Sequence, residues 1–221
     1  MGAFIIAVDG PAAAGKGTLA RRLAVEFRLA HLDTGALYRA TARDAMAAGV
    51  DPADAAAAAG IAAKLDPASL ADPALRDEKV GRVASIVSAH PAVRAALLDY
   101  QRNFAYHPPN DAEGAVLDGR DVGTVVCPQA TVKLFVTASL EARAGRRLRE
   151  LEAAGDPADA AAVLADLQAR DERDSKRSAS PMKPATDAVV LDTSGLDADE
   201  AFGAAVSIVR ARTRSFGGSQ A

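Results

Sequence analysis

Hydrophobic residues along this chain occur in short runs that alternate with longer amphipathic segments. Five runs have the length of buried strands, at 3–8, 30–33, 115–117, 132–136 and 188–191. The segments between them place apolar residues at helical spacing, bounded by capping residues, proline and glycine. Strands that alternate with helices predict an α/β fold, with a five-stranded parallel sheet covered by helices on both faces.

The longer segments predict the helices and the connections. We expect helices at 18–27, 34–48, from 51 onward, at 78–89, 91–104, from 139 onward, at 156–173 and from 197 onward. Thr34 and Ser139 are the expected N-caps of two of them, and Asp197 with Glu200 forms a capping-box pattern. Residues 65–76 contain Asp-Pro twice, which predicts an irregular connection.

The turn after the first strand reads G-P-A-A-A-G-K-G-T, from Gly10 to Thr18. Its glycines permit a tight loop, and the following helix offers inward N–H groups and about half a positive charge at its N-terminus. Lys16 is placed to reach the terminal phosphates of a nucleotide. The usual pattern has Ser or Thr directly after the lysine to hold Mg²⁺, but here Gly17 intervenes. We interpret this segment as a phosphate-binding loop of the G-K-G-T form seen in nucleoside monophosphate kinases.

A second polar segment, L-D-T-G-A-L-Y-R at 32–39, follows the second strand. Thr34 stands at a helix start, where its hydroxyl can bond a ligand or its own backbone. Arg39 lies about a turn and a half further on and can extend into a cleft. A helix cap with a surface arginine explains the same residues as well.

A third polar segment, at 117–123, follows the third strand. Asp118 ends the strand, as the acidic residue opposite a phosphate loop should, and it can hold the water shell of Mg²⁺. Arg120 can clamp a phosphate. Asp121 can accept a hydrogen bond from an exocyclic amino group such as that of cytosine. The alternative is a salt-bridged turn.

Two basic segments follow the fourth strand. Arg143 and Arg147 are four residues apart on one helix face and repel each other unless an anion binds, although nearby glutamates make a solvated helix a real alternative. Further along, Arg170, Asp174 and Arg177 share one helix face. This second segment predicts either a surface helix of alternating charge or a lid that closes on phosphates.

The ends of parallel strands meet at one edge of a sheet, where ligands bind. We therefore expect the loop at Gly10, the turn at residues 33–34 and the turn at residues 118–119 to gather there.

Composition narrows the alternatives. The chain has 221 residues, of which 49% are hydrophobic, and this predicts one domain with small insertions. Its net charge of −3 argues against nonspecific nucleic-acid binding. The single cysteine, Cys127, permits no internal disulfide or four-cysteine zinc lid and is expected to fill the core. No apolar run has the length of a membrane span. We expect a cytoplasmic protein and, since no apolar repeat suggests assembly, a monomer.

With these residues placed, the chain resembles the bacterial cytidylate kinases (CMP kinases) nearly from end to end. The resemblance is carried by L-D-T-G-A-L-Y-R at 32–39, D-G-R-D-V-G-T-V-V at 118–126 and R-D-E-R-D-S-K-R at 170–177. It implies transfer of the γ-phosphoryl group of ATP to CMP or dCMP with Mg²⁺, in the P-loop nucleoside monophosphate kinase fold. It also implies a CMP-binding subdomain at about 35–95 and a lid at about 143–177 within a single domain, 1–221.

The resemblance also implies residue roles. The ATP-binding set is Gly10, Pro11, Ala12, Ala13, Ala14, Gly15, Lys16, Gly17 and Thr18, with Arg143 on the adenine. The acceptor-binding set is Thr34, Arg39, Ser85, Arg94, Arg120, Asp121, Arg170 and Asp174, of which Ser85, Arg94 and Asp121 read cytosine. The catalytic set is Lys16, Arg120, Arg147 and Arg177. Asp118 is the metal-site residue, acting through water, with Thr18 as a second candidate.

One departure from the family concerns residues 65–84. Many members have a small β-rich insertion before the position of Ser85, and here that segment is short and broken by prolines. The shape of the acceptor-binding subdomain is therefore expected to differ.

The expected mechanism is in-line attack by the CMP phosphate without a covalent intermediate. A phosphate oxygen is already ionised at neutral pH, so no strong general base is required, and none of the three histidines falls within the clusters above. Two alternatives stay open: a kinase for AMP, UMP or another small acceptor, and a P-loop ATPase switch. A switch GTPase would need N-K-x-D, which the sequence lacks, and a motor ATPase would need glutamate after Asp118, where Gly119 stands.

Overall fold

The computed structural model describes residues 3–153, 155 and 158–217 and contains one parallel sheet of five strands. The strand order is β2-β3-β1-β4-β5, and every neighbouring pair runs parallel. The strands are β1 (Phe4–Asp9), β2 (Ala30–Asp33), β3 (Gly114–Gly119), β4 (Val132–Thr137) and β5 (Val189–Asp192). This architecture confirms the predicted fold class.

Eight α-helices and three short turns connect the strands within the described residues. The helices are α1 (Lys16–Phe27), α2 (Thr34–Ala47), α3 (Ala55–Ala62), α4 (Glu78–Val87), α5 (Pro91–Tyr106), α6 (Leu140–Ala153), α7 (Ala160–Lys176) and α8 (Ala198–Gly217). Residues 65–76 contain two 3₁₀ turns, Pro67–Ala71 and Pro73–Arg76, which confirms the irregular connection predicted there, and no strand lies within 65–84. A single π-type turn, Val122–Val126, follows β3. None of the described helices is both long and apolar enough to cross a bilayer.

The sheet separates two apolar layers, and alternate side chains of β1 pack into one layer or the other. Ile5 and Ala7 pack into the layer built by α2 to α5. Ile6 and Val8 point to the opposite face and pack with α1 and α8. Successive strand residues face opposite sides, so a central strand that is buried on both faces is apolar at every position.

Helices α6 and α7 form a hairpin with a small core of its own. Leu151 of α6 packs with Val163 and Leu167 of α7, and the cluster extends to Ala12 of the loop after β1. The hairpin therefore rests directly on the predicted phosphate loop.

Several helix starts differ from the prediction. Asp33, not Thr34, is the N-cap of α2, because its Oδ1 accepts the N–H of Ala36 (3.2 Å). Helix α3 begins after the cap Asp54 rather than at 51. Helix α7 begins after the cap Asp159, and the predicted start at 156–157 lies outside the described residues. In each case the aspartate directly before the helix satisfies free N–H groups of its first turn.

Other local predictions are confirmed. Ser139 Oγ accepts the N–H of Ala142 (3.1 Å), and Asp197 and Glu200 form the reciprocal capping box. Cys127 is buried in the core, and burial raises the pKa of its thiol to about 11, so it is not a thiolate at neutral pH.

Candidate active site

The carboxyl ends of β1, β2 and β3 bring three aspartates to one edge of the sheet. In the strand register Asp33 stands opposite Asp118, and Asp9 stands opposite Gly119. The three turns that the sequence placed at this edge therefore meet there, as predicted, because parallel strands end on the same side.

The loop after β1 has the backbone of a phosphate cradle. Gly10 has φ 149° and a Cβ there would lie 1.9 Å from the carbonyl oxygen of Val136, so only glycine fits. Gly15 has φ 84° and precedes α1 directly. Lys16 folds back over the loop, and its Nζ donates to the carbonyl oxygen of Pro11 (3.2 Å). Helix α1 starts directly after this loop with no side-chain cap, and the free N–H groups of such a helix start bind anions.

The electrostatics of Lys16 match an anion site. Burial and, second, the charge of Arg120 lower the pKa of its amine to about 7, while Asp118 and Asp33 oppose this shift. A polyphosphate beside Lys16 would favour the protonated amine, since opposite charges stabilise each other.

Arginines surround one buried carboxylate next to this loop. Asp174 is only 3% exposed; it accepts from Arg120 Nε at 2.9 Å, and Arg177 Nη1 lies 3.7 Å from its other oxygen. Arg170 is influenced by the same charges. Burial, the larger cause, and the positive charge of Arg120 lower the pKa of its guanidinium to about 10. The site therefore gathers more positive charge than Asp174 alone balances.

Some N–H donors of these arginines have no hydrogen-bond partner within the part of the chain that the structure describes. Among the described residues, the buried Nε atoms of Arg170 and Arg177, and Nη2 of Arg177, have no hydrogen-bond partner. Buried donors of this kind are normally satisfied. An anionic ligand is the partner whose chemistry fits them.

A second buried ion pair lies deeper, between α5 and the turn after β3. Arg94, 8% exposed, donates to Asp121 Oδ2 through Nη2 and to the carbonyl oxygen of Ser88 through Nη1 (3.1 Å). The guanidinium also lies 5.3 Å from the ring centroid of Tyr38. A cavity of about 200 Å³ adjoins this pair, with Gln101 in its lining. The sequence-predicted Arg94 and Asp121 are thus in direct contact.

Ser85 lies on α4 and contacts helix α7. It is buried, and its Oγ accepts a hydrogen bond from Arg173 Nε on α7 (3.1 Å). Arg173 was not among the predicted site residues. It belongs to the charged segment at 170–177, three residues after Arg170 and four before Arg177, so helical spacing places it beside them and could have identified it.

Thr34 and Arg39 lie at the start of α2. The hydroxyl of Thr34 donates to the carbonyl oxygen of Asp118 (2.8 Å), so it joins β2 to β3. Arg39 Nη1 donates to Asp33 Oδ2 (3.3 Å), and both side chains are about one-third exposed. Arg39 therefore stands at the rim of the site, beside the cap of α2.

The two arginines of α6 have separate surroundings. Arg143 is buried and donates to the carbonyl oxygens of Ala138 (3.1 Å) and Ala12 (3.3 Å) and to Asp171 Oδ2 (2.6 Å). It links the loop after β1 to helix α7, and these bonds were not expected from the sequence. Arg147 is more exposed and pairs with Glu150 at 3.3 Å. Among the described residues, no hydrogen bond or ion pair joins Arg147 to the cluster around Asp174.

Asp118 and Thr18, the candidate metal-site residues, have different surroundings. A Cβ on Gly17 would lie 3.6 Å from Asp118 Oδ2, so Asp118 faces the phosphate loop. Thr18 is exposed, and its hydroxyl accepts from Arg21 Nη2 (3.4 Å), a cationic neighbour. The described residues contain no cluster of three or more His, Cys, Asp or Glu that would hold a metal by itself.

His31, which lies outside the polar segments identified in the sequence, contacts the candidate metal-site residue Asp118. Its Nε2 lies 2.8 Å from Asp118 Oδ1. His31 faces Val116 in the strand register, and its side chain reaches along the neighbouring strand to Asp118. No local sequence signal predicts this contact, because it depends on how β2 pairs with β3.

Asp9 is a further buried acid that the sequence analysis did not single out. Its two carboxylate oxygens accept the backbone N–H groups of Val122 (2.8 Å) and Gly123 (2.7 Å). A polar residue at the end of an apolar strand is the signal that would have identified it.

Comparison with known proteins agrees with this geometry. Residues 6–211 match the family model described as cytidylate kinase. The chain belongs to the cytidylate kinase family. The resemblance inferred from the sequence is thereby confirmed.

Curated members of the cytidylate kinase family align with nearly the whole chain. The cytidylate kinase of Rhodospirillum rubrum is 58% identical over 206 residues, which are 93% of this chain and 97% of the relative. That of Granulibacter bethesdensis is 60% identical over 207 residues, with 94% and 97% covered. The match therefore includes the phosphate loop, the sheet and both basic segments.

Solved structures share the fold at low sequence identity. An uncharacterized protein from Eubacterium ventriosum superposes with a TM-score of 0.54 at 12% identity, over 94% of this chain and 98% of that one. TT1252 from Thermus thermophilus gives 0.50 at 22% identity, with 96% and 98% covered. At these identities the likeness concerns the fold alone.

Proposed function

We propose that this chain transfers the γ-phosphoryl group of ATP to CMP or dCMP, and that the site described above carries out the reaction. The observation that carries the proposal is the arginine cluster around Asp174, with unpaired buried donors on Arg170 and Arg177 beside the phosphate loop. Two phosphate-binding elements side by side are what a kinase with a phosphate acceptor requires.

The donor side of the site is the loop from Gly10 to Thr18. Its free N–H groups and the amine of Lys16 suit the β- and γ-phosphates of ATP. Magnesium keeps several of its waters and takes further ligands from the phosphates, so the single carboxylate of Asp118 fits this ion. Mg²⁺ would there neutralise charge on the phosphates. Arg143 is proposed to act through its bonds to Ala12 and Asp171 as well as near the adenine.

The acceptor side combines two recognition elements. Arg120, Arg170 and Arg177 suit the phosphate of CMP, because a guanidinium donates two parallel hydrogen bonds to an anion. For the base, the carboxylate of Asp121 accepts from the exocyclic amine of cytosine, and Arg94 donates to its ring acceptors. Uracil has a carbonyl oxygen in place of that amine and would face the carboxylate unfavourably.

The chemical step needs positioning and positive charge rather than a base. The acceptor phosphate is ionised at neutral pH, and Lys16 with Arg120 stabilises charge on the transferring group. We propose that residues 35–95 form the acceptor-binding subdomain and that residues 143–177 form the lid. The lid contacts both sides of the site, through Arg143 toward the phosphate loop and through Arg173 toward Ser85. Its closure would exclude water and suppress hydrolysis of ATP. We also propose a cytoplasmic monomer.

The test is a coupled ADP-release assay with Mg-ATP and CMP, dCMP, UMP, AMP, GMP or no acceptor in parallel. We expect rapid release with CMP and dCMP, and little without an acceptor. Release that is equal without any acceptor would identify an ATPase. Release with AMP or GMP alone would refute the assignment of the base pocket and leave the phosphate loop intact.

A further inference from the structure

Asp9 lies at the end of β1, directly before the phosphate loop. It is 4% exposed. Oδ1 accepts the N–H of Val122 at 2.8 Å, and Oδ2 accepts the N–H of Gly123 at 2.7 Å. The carboxylate thus binds two consecutive backbone donors of the turn that follows β3.

This turn is the one that carries the acceptor-facing residues. Arg120 and Asp121 immediately precede it, and the carbonyl oxygen of Asp121 accepts the N–H of Val125 at 2.8 Å and of Val126 at 3.2 Å. The first N–H groups of any helical turn have no partner inside it. Here the Asp9 carboxylate accepts the N–H groups of Val122 and Gly123, the first two residues of the turn.

An apolar residue in place of Asp9 would leave the two backbone donors of the turn without acceptors. Burial, the largest influence, raises the pKa of Asp9 to about 7, and the charge of Asp121 adds to the increase. The two backbone donors and the charge of Arg120 oppose it. The side chain of Lys133 lies beside the Asp9 carboxylate at Gly123, since a Cβ there would contact both. Without the carboxylate, two buried N–H groups would lose their partners, which destabilises a structure more than the removal of a matched pair.

We propose that Asp9 is a positioning residue for the acceptor: it holds the turn at 122–126 and thereby aims Arg120 at the CMP phosphate and Asp121 at the base. This inference rests on the proposed function. Asp9 belongs to the strand before the phosphate loop, yet both hydrogen bonds of its carboxylate go to the turn at 122–126, on the acceptor side.

The first test is Asp9→Asn, which keeps the size of the side chain. An amide has one acceptor oxygen, and its NH₂ group cannot accept the second backbone N–H. We expect the KM for CMP to rise about 10-fold, as for the loss of one charge-assisted bond, and the KM for ATP to change less than about 3-fold. Preference for CMP over UMP should fall as well, because Asp121 is no longer held in place.

A second variant perturbs the same contact from the other side. A Cβ on Gly123 would lie 3.3 Å from Asp9 Oδ2 and 3.1 Å from Lys133 Cδ, so Gly123→Ala pushes the turn away from Asp9. We expect the same selective rise in the KM for CMP. In the double variant the two effects should be less than multiplicative, since each removes one shared contact.

Val209→Ala is the control for stability alone. Val209 is fully buried on α8, on the opposite face of the sheet, so its truncation should lower Tm and leave both KM values unchanged. Should Asp9→Asn fail to fold, Gly123→Ala carries the test.

Three results would overturn the inference: equal rises in both KM values, a loss of Tm with unchanged kinetics, or fully multiplicative effects in the double variant. A wild-type protein that does not phosphorylate CMP would refute the proposed function itself. A wild-type CMP kinase whose Asp9→Asn and Gly123→Ala variants keep their KM for CMP would refute only the role of Asp9.

Discussion

Replacement of Arg120 by alanine tests the centre of the proposed mechanism. Arg120 Nε donates to Asp174 Oδ2 at 2.9 Å, and the two side chains are 15% and 5% exposed, so the pair holds the guanidinium in one orientation. An arginine about 4 Å from a unit charge contributes about 4 kcal/mol at the effective dielectric constant of a protein surface. We expect Arg120→Ala to lose about 3 kcal/mol of transition-state stabilisation, or at least about 100-fold in kcat.

The assay is steady-state ADP release at saturating Mg-ATP and CMP, with Tm measured on the same samples. Arg82→Ala is the matched control, because Arg82 is exposed on α4 and pairs with Glu78 at 3.1 Å. Exposed pairs of this kind contribute about 1 kcal/mol or less. A kcat for Arg120→Ala within about 10-fold of wild type, at unchanged Tm, would remove Arg120 from the catalytic step.

Three further predictions follow from other parts of the site. Lys16→Met should lower kcat at least about 100-fold. Burial lowers the pKa of Lys16 from 10.5 to about 7, so a charged Lys16 destabilises the folded state. This loss of stability is complete below pH 7 and decreases as the pH rises toward 10.5. The same variant should therefore raise the Tm of the ligand-free protein most below pH 7, and a pH-independent Tm difference would contradict this reasoning. Arg94→Met leaves Asp121 buried without its partner and should lower the free energy of unfolding in urea by about 3 kcal/mol. The variant should also lose the preference for CMP over UMP. Unchanged CMP/UMP selectivity would argue against the base pocket. Gly10→Ala should give little folded protein in a thermal melt, since its Cβ would lie 1.9 Å from the carbonyl oxygen of Val136; normal Tm would show that the loop can move aside.

The sequence determined the elements of this protein because they depend on local pattern. Apolar runs of strand length, capping residues and the glycines of the loop at residues 10–18 act over a few neighbouring positions, so strands, helices and the phosphate loop could be read directly. The strand ends then predicted that the three polar turns meet at one edge, since parallel strands end together.

Only the tertiary structure decided which polar groups pair within that site. His31 contacts Asp118 because β2 lies beside β3, and Asp9 binds the turn at 122–126 because β1 is central in the sheet. Arg173 meets Ser85 across 88 positions of the chain, and Arg143 bonds the loop carbonyl of Ala12. These contacts depend on strand order and on the docking of the helical hairpin, which no local spacing encodes. The sequence therefore supplied the chemical groups, and long-range packing determined their partners.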